Sequence, residues 1–484
     1  MNKKNLDIDA LNGIKDRSFR MLFSAMIAVA VSCSEPEGTV TIGNPDIGTE
    51  GIQAAIDSAA KAGLELVFPK GTYICGTLEL RSGSRIRLCR GSVLQGSDDP
   101  RDYRRIPGAP EGNPQADKCS PDKFAFIVAD GCDGITISGP GRIDGRGLQV
   151  SLAADSLHHT GILVDPDYNT RRMRPGTRPK LLELYGCRNV LIEGVHLRSS
   201  AAWGLSLNKC EDVTVRKIEF VNRAYWNNDG IDITDSRRVL VEFCHINSAD
   251  DGIVLKSFDP ESADEDITIR RCRIQSSASA LKFGTESFGG FKRVRISDIR
   301  VRDTFRSAIA IESVDGARVE DIRVEKIRAV NTGNAFFIRL GCRNADAPGY
   351  IRDVTVKDLR CRIPAGRPDS RYDVRGPDIN TIHNPFPASV TGIPGAPLQN
   401  IRLENIRVSC PGGGTRAMGY VGTYRSVPEM ESAYPEFHMF GELPAWGMYA
   451  RHVDGLETEN VRFRLRRPDY RARTVLEDVN QEKL

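Results

Sequence analysis

Apolar residues recur along this chain as V-x-I-x-x-V-x-L, two positions in alternation, one extra position, then two more in alternation. The pattern appears as Val190/Ile192/Val195/Leu197, Val213/Val215/Ile218/Phe220, Val239/Val241/Cys244/Ile246, Ile267/Ile269/Cys272/Ile274, Val294/Ile296/Ile299/Val301 and Ala317/Val319/Ile322/Val324. Looser copies begin at Ile86, Ile135, Val354, Ile401 and Leu456. Alternation with period two describes strands, and the extra position describes a bend between two short ones. Successive starts advance by 23, 26, 28, 27 and 23 residues. A propeller blade needs about 40 residues and four strands, so the shorter repeat predicts one coil of a solenoid. The expected fold is all-β, a right-handed parallel β-helix of about ten coils.

A second strand family fixes the register. Aligning AAWGLSL, NNDGIDI, ADDGIVL, ASASALKF, FRSAIAI and GNAFFI puts Leu205, Ile231, Ile253, Leu281, Ile309 and Phe336 in one inward column. Parallel strands stack about 4.8 Å apart, so each residue lies nearly above its counterpart. Asp229, Asp251 and Ser279 then share a column, and Asn228, Asp250 and Ala278 share the next. Three carboxylates, Asp229, Asp250 and Asp251, gather on adjacent coils. Like charges facing one another destabilise a sheet, so the arrangement suggests chemistry. Hydrolysis of a glycosidic bond uses one carboxylic acid to protonate the leaving oxygen and another carboxylate to activate water or attack the sugar. Asp-Gly turns and a calcium site are the other uses of such residues.

Composition narrows the partners. Basic and acidic residues nearly cancel, 67 against 64, and no dense basic run appears, which argues against nucleic acid. Residues 1–32 read as an export signal: Lys3, Lys4, Lys15, Arg17 and Arg20 precede the apolar MLFSAMIAVAV, and AVSC resembles a bacterial lipobox. Cleavage before Cys33 with lipidation of its thiol is expected, as is residence in the bacterial cell envelope as an outer-membrane lipoprotein, attached through the lipid alone. Residues 33–48 are assigned to a tether, 49–470 to the solenoid and 471–484 to a C-terminal tail; the solenoid is expected to be monomeric. Eleven cysteines follow Cys33 without paired spacing, so a disulfide framework and a zinc site are both disfavoured. No metal or cofactor is assigned.

The stretches WNNDGIDI (residues 226–233), SADDGIVLKS (248–257) and EGIQAAIDSAAKAGLELVFPKGTYICGTLELRSGSRIRL (50–88) resemble glycoside hydrolase family 28, the polygalacturonases and rhamnogalacturonan hydrolases. The resemblance spans roughly residues 49–339. It implies a right-handed parallel β-helix and a pectic plant cell-wall substrate. It places the N-x-D motif on Asn227, Asn228 and Asp229 and the D-D motif on Asp250 and Asp251. By this resemblance Asp250 is the general acid, while Asp229 and Asp251 hold and deprotonate water in an inverting displacement, with acid and base about 6.5 to 9.5 Å apart. Two family motifs are altered. The G-H-G histidine position holds Ser279, and the R-I-K positions hold Ala310 and Glu312. Loss of that cation pair points away from plain polygalacturonan, toward branched or rhamnose-containing chains. Lys256, Lys282 and Arg339 are candidate replacement cations for substrate binding, with solvated side chains as the alternative; Asn227, Ser279 and Glu286 are placed beside them, Glu286 with a turn carboxylate as its alternative.

Residues 50–63 carry apolar positions at helical spacing, with Thr49 as N-cap and Gly63 as stop, and should plug the open end of the solenoid. Residues 364–397 and 412–446 break the coil rhythm and should form loops walling the cleft. Tyr225 and Trp226 are placed either to stack on a sugar ring or to pack inward. A polysaccharide lyase on the same fold and a non-catalytic surface glycan binder are the competing readings.

Overall fold

The computed structural model describes residues 38–107, 122–166, 168, 173–174, 177–369 and 386–480; the export signal and Cys33 lie outside them. Apart from an antiparallel pair, Ile106–Pro107 with Asp122–Lys123, the described strands join one parallel sheet that winds on itself, rung upon rung, as a right-handed β-helix. One column of hydrogen-bonded rungs starts at Val40, Leu66 and Ile86. It passes through Ile192, Val215 and Val241 and ends at Leu403 and Thr458. The predicted inward column is observed residue for residue, from Leu205 paired with Ile231 to Ile309 paired with Phe336. All six of its members are buried.

The extra position in each repeat is a residue with left-handed backbone. Gly194, Lys217, Phe243, Arg271, Asp298, Lys326 and Asp358 all have φ between 54° and 74°. Only the first is glycine, so the bend strains the others, and the hydrogen bonds of the flanking rungs hold them there. Ten cysteines are described, all free and most buried, packing as small apolar groups.

Both ends extend beyond the assigned boundaries. Strand Thr39–Thr41 pairs with Glu65–Phe68, so the tether gives way to the solenoid earlier than residue 48. Strand Ala472–Asn480 pairs with Ala445–Glu459, so most of the assigned tail is a further rung. Neither end strand shows the repeat because only one neighbour offers hydrogen bonds and little apolar surface needs cover. Helix α1, Gly48–Ala62, buries Ile52, Ile56 and Ala59 against the first rungs, and Gly63 ends it with φ 67°. Thr49 is not its cap. Its hydroxyl instead accepts the N–H of Gly76 at 2.9 Å, tying the helix to the next coil. A second helix, α2, Gly147–His159, lies in an insertion between rungs that the repeat did not reveal. No helix of the described residues is long and apolar enough to cross a membrane.

Candidate active site

Two glycines explain why Asp-Gly occurs twice. A Cβ at Gly230 would stand 2.3 Å from the carbonyl oxygen of Gly252, and one at Gly252 would stand 2.6 Å from that of Ala280. The chain turns so tightly into the strands Ile231–Thr234 and Ile253–Ser257 that only glycine fits, and the residue before each turn is delivered to the cleft floor. Asp229 and Asp251 precede those glycines on neighbouring rungs. Oxygens of Asp229, Asp250 and Asp251 all lie within 4.8 Å of one another.

The turn is held from beneath. The side-chain amide of Asn228, fully buried, donates to the carbonyls of Ser200 and Ala202 at 3.0 and 2.8 Å. Asn227 accepts from Arg178 at 3.0 Å, and Arg178 also donates to the carbonyls of Ala201 and Trp226. Asn227, assigned to substrate, is therefore engaged by the scaffold. Tyr225 is buried beside the Arg178 guanidinium, 5.0 Å from its ring centre, and packs rather than offering a sugar platform.

Burial and crowding set the charges. Asp250, partly open to solvent, is pushed up to about 6 by burial and by Asp251, with Arg306 and Lys282 pulling the other way. Asp229 is driven well above the usual carboxylate range by burial, then by Asp232, Asp250 and Asp251. A protonated acid beside further carboxyl groups is what acid-assisted cleavage of a glycosidic bond needs.

Lys282 carries the counter-charge. Its ammonium lies 3.1 Å from Asp251 and 3.9 Å from Glu312, with the Tyr434 hydroxyl at 3.5 Å. Such a carboxylate cluster is close enough to grip a cation. Here the Lys282 ammonium stands against one of its members, Asp251. Ser279 contributes its backbone N–H, which donates to Asp251 at 2.9 Å. Lys256 and Glu286 meet each other at 3.6 Å, with Lys256 also 5.3 Å from the Trp203 ring centre.

Two further expectations fail. Arg339 is 1% exposed and donates to the carbonyls of Gly392, Glu429 and Met430. It anchors the second long loop and does not face substrate, because that loop folds over the column in which Arg339 sits. The acid–base spacing of about 6.5 to 9.5 Å is also absent, since stacking on adjacent rungs brings the carboxylates closer.

Sequence reasoning missed Asp232, Arg306, Tyr434 and Glu436. Asp232 is fully buried, both its oxygens lack hydrogen-bond partners, and burial pushes it up to about 8. It stands in the column that Val254 and Lys282 continue, so register could have found it. Arg306 extends the column of Asp250 and Ala278 in the same way. Its guanidinium pairs with Glu436 at 2.5 Å. Tyr434 and Glu436 belong to the loop expected to wall the cleft, and no period announces them. Asp369, near the start of the other expected wall, reaches Arg223 at 2.9 Å and Ser277 at 2.6 Å.

Comparison with known proteins agrees with this fold. The family described as glycosyl hydrolases family 28 matches residues 110–277, which include the three carboxylates. A probable polygalacturonase of Vitis vinifera is 22% identical over 387 residues, covering 75% of this chain and 71% of its own. The family 28 exopolygalacturonase of Yersinia enterocolitica superposes with TM-score 0.63 at 17% identity, covering 89% of this chain and 75% of its own. That of Thermotoga maritima gives 0.57 at 21%, covering 77% and 87%.

Proposed function

We propose that this chain acts as its similarity to glycosyl hydrolases family 28 suggests, cleaving glycosidic bonds in pectic polysaccharides or oligosaccharides with Asp250 as the acid. One observation carries the assignment: of three clustered carboxyl groups, Asp250 is the one open to solvent whose proton is retained to about pH 6. Asp229 and Asp251, on adjacent rungs, hold the water that attacks the anomeric carbon from the opposite side; inversion of the product rests here on the resemblance to family 28 and not on the carboxylate spacing, which is shorter than an inverting pair usually shows. A lyase would need a free base cation. The cleft cations instead have carboxylate partners: Lys282 with Asp251, Arg306 with Glu436, Lys256 with Glu286. That engagement also favours branched or rhamnose-containing pectic chains over a uniformly acidic one, since few cations are left for successive uronates.

The test is incubation with a panel of pectic polysaccharides, with products followed by proton NMR from the first turnover. New reducing ends with inverted configuration are expected. Retained configuration would remove the single-displacement step, and unsaturated products would replace hydrolysis with elimination. We further propose that the mature protein is a monomeric lipoprotein of the outer membrane, anchored through Cys33. The parent should enter detergent extracts of the membrane fraction and Cys33→Ser should not; equal partitioning would end that proposal.

A further inference from the structure

The three carboxyl groups of the cleft are not held alike. Both oxygens of Asp251 are met by donors: Oδ1 accepts the N–H of Ser279 at 2.9 Å, and Oδ2 lies 3.1 Å from Nζ of Lys282. Asp250 accepts one backbone N–H, that of Asp251, at 3.0 Å. Oδ1 of Asp229 is buried with no hydrogen-bond partner, and so are both oxygens of nearby Asp232. Donors and a cation favour the charged form of a carboxyl group, whereas an unmet buried oxygen favours the neutral acid.

Lys282 is itself fixed in place, its side chain only 4% exposed. Glu312 and Arg306 face it from strand Gly290–Ser313, and Tyr434 and Glu436 from the loop above. Burial pushes Glu312 up to about 8, leaving it neutral under mildly acidic conditions and Asp251 as the main counter-ion of Lys282. Arg306 is drawn to Glu436, which limits its competition for Asp251.

Building on the hydrolase reading, we propose that Lys282 is a positioning residue that keeps the negative charge on Asp251. Asp251 is then the sole base of the pair, and Asp229 takes part as a neutral carboxylic acid that orients the water. In the step, Asp251 takes one proton from water, the water oxygen bonds to the anomeric carbon, and the glycosidic C–O bond breaks. The leaving oxygen takes the proton of Asp250. Asp251 ends protonated, Asp250 ionised and Asp229 unchanged, and proton exchange with solvent resets the first two.

The experiment measures kcat/KM against pH for the parent, Lys282→Met, Lys282→Arg, Asp229→Asn and Asp251→Asn on whichever pectic substrate is cleaved. In Lys282→Met the acidic limb should move up by about 1 to 3 pH units, the usual effect of a cation at this range. KM should change less than kcat, and Lys282→Arg should restore most of the limb. Asp251→Asn should lose about 10²- to 10⁴-fold. Asp229→Asn should lose at least about tenfold less, since an amide still donates a hydrogen bond. An unmoved limb in Lys282→Met, or equal damage from the two asparagine variants, overturns the proposal. Carbon-13 NMR of labelled aspartate supplies an arm free of turnover: Lys282→Met should shift one carboxyl titration that Asp251→Asn abolishes. That shift in a parent that cleaves no pectic substrate would sink the hydrolase reading and leave the pairing intact. Its absence in an active parent would sink the pairing alone.

Discussion

Charge is arranged in opposite ways on two sides of the same coil. On the outer turn, Glu211, Arg237, Glu265, Lys292, Glu320 and Arg352 stack in one column, alternating in sign at every rung. The adjoining turn residues alternate too, Asp212 pairing with Arg238 at 2.7 Å and Asp266 with Arg293 at 2.7 Å. The arginine partners hold Asp212, Asp266 and Glu211 below the usual carboxylate range, and Arg352 takes Glu320 down to about 2. On the cleft floor, Asp229 stacks on Asp251 with Asp250 and Asp232 beside them, and burial with crowding pushes Asp229, Asp250 and Asp232 up. The outer columns show the electrostatic order a stack settles into when stability alone is at stake. Departure from that order, with buried carboxyl groups crowded together, is what sets the candidate site apart from the rest of the coil.

Removing one negative charge from each side should separate the two most strongly. Asp250→Asn should lower kcat by about 10²- to 10⁴-fold, because the amide supplies no useful proton, while the melting temperature holds or rises. Asp266→Asn should do the reverse, keeping kcat while losing about 0.5 kcal/mol of stability, typical of an exposed pair. Steady-state rates and thermal melts on both variants decide it, and a loss of activity in Asp266→Asn alone would invert the argument.

A second prediction concerns pH. Asp232 holds its proton to about 8 in the folded chain but only to about 4 when unfolded. Between those values the folded state binds more protons, so stability should fall as pH rises from about 5 to about 8. The slope of melting temperature against pH should be visibly flatter in Asp232→Asn. Glu320 has the opposite sign: its contribution is present above about pH 4 and lost as pH falls toward 2. Identical slopes in parent and Asp232→Asn would mean that the buried carboxyl carries no such linkage.

The smallest effect is a sign reversal in the ordered column. Arg238→Glu would place a third acid against Glu211 and Asp212, and should cost about 1 kcal/mol at low salt. Denaturant melts at about 0.05 and 1 M salt should show most of that loss disappearing as charges are screened. A salt-independent loss would point to packing instead.

Much of this site was legible because the fold is periodic. Once Leu205, Ile231 and Ile253 share a column, the positions of Asp229, Asp250 and Asp251 follow by counting. Asp232 and Arg306 were within reach of the same counting, but neither sits in a run that looks like a motif. Tyr434 and Glu436 were out of reach, because their loop departs from the repeat and its path depends on contacts between distant segments. Arg339 shows the cost of reading a column without its cover: its rung was right, but the loop that buries it has no period to read. Thr49 shows the same limit locally, since helix α1 starts a residue earlier and the hydroxyl has a partner on another coil.

The wall of the cleft also dictates when this protein becomes competent during its own synthesis. Each rung rests chiefly on its immediate neighbours, so the coils bearing Asp229, Asp250 and Asp251 can stack while the rest of the chain is still being made. The tyrosine against Lys282 and the glutamate against Arg306 are encoded roughly 150 and 130 residues further on. At about 5 to 20 residues per second, the carboxylate floor waits on the order of ten seconds or more for its far side. A chain growing from its N-terminus therefore holds the three carboxylate-bearing rungs before it holds the far wall of the groove, which is complete only once residues 434–436 are present.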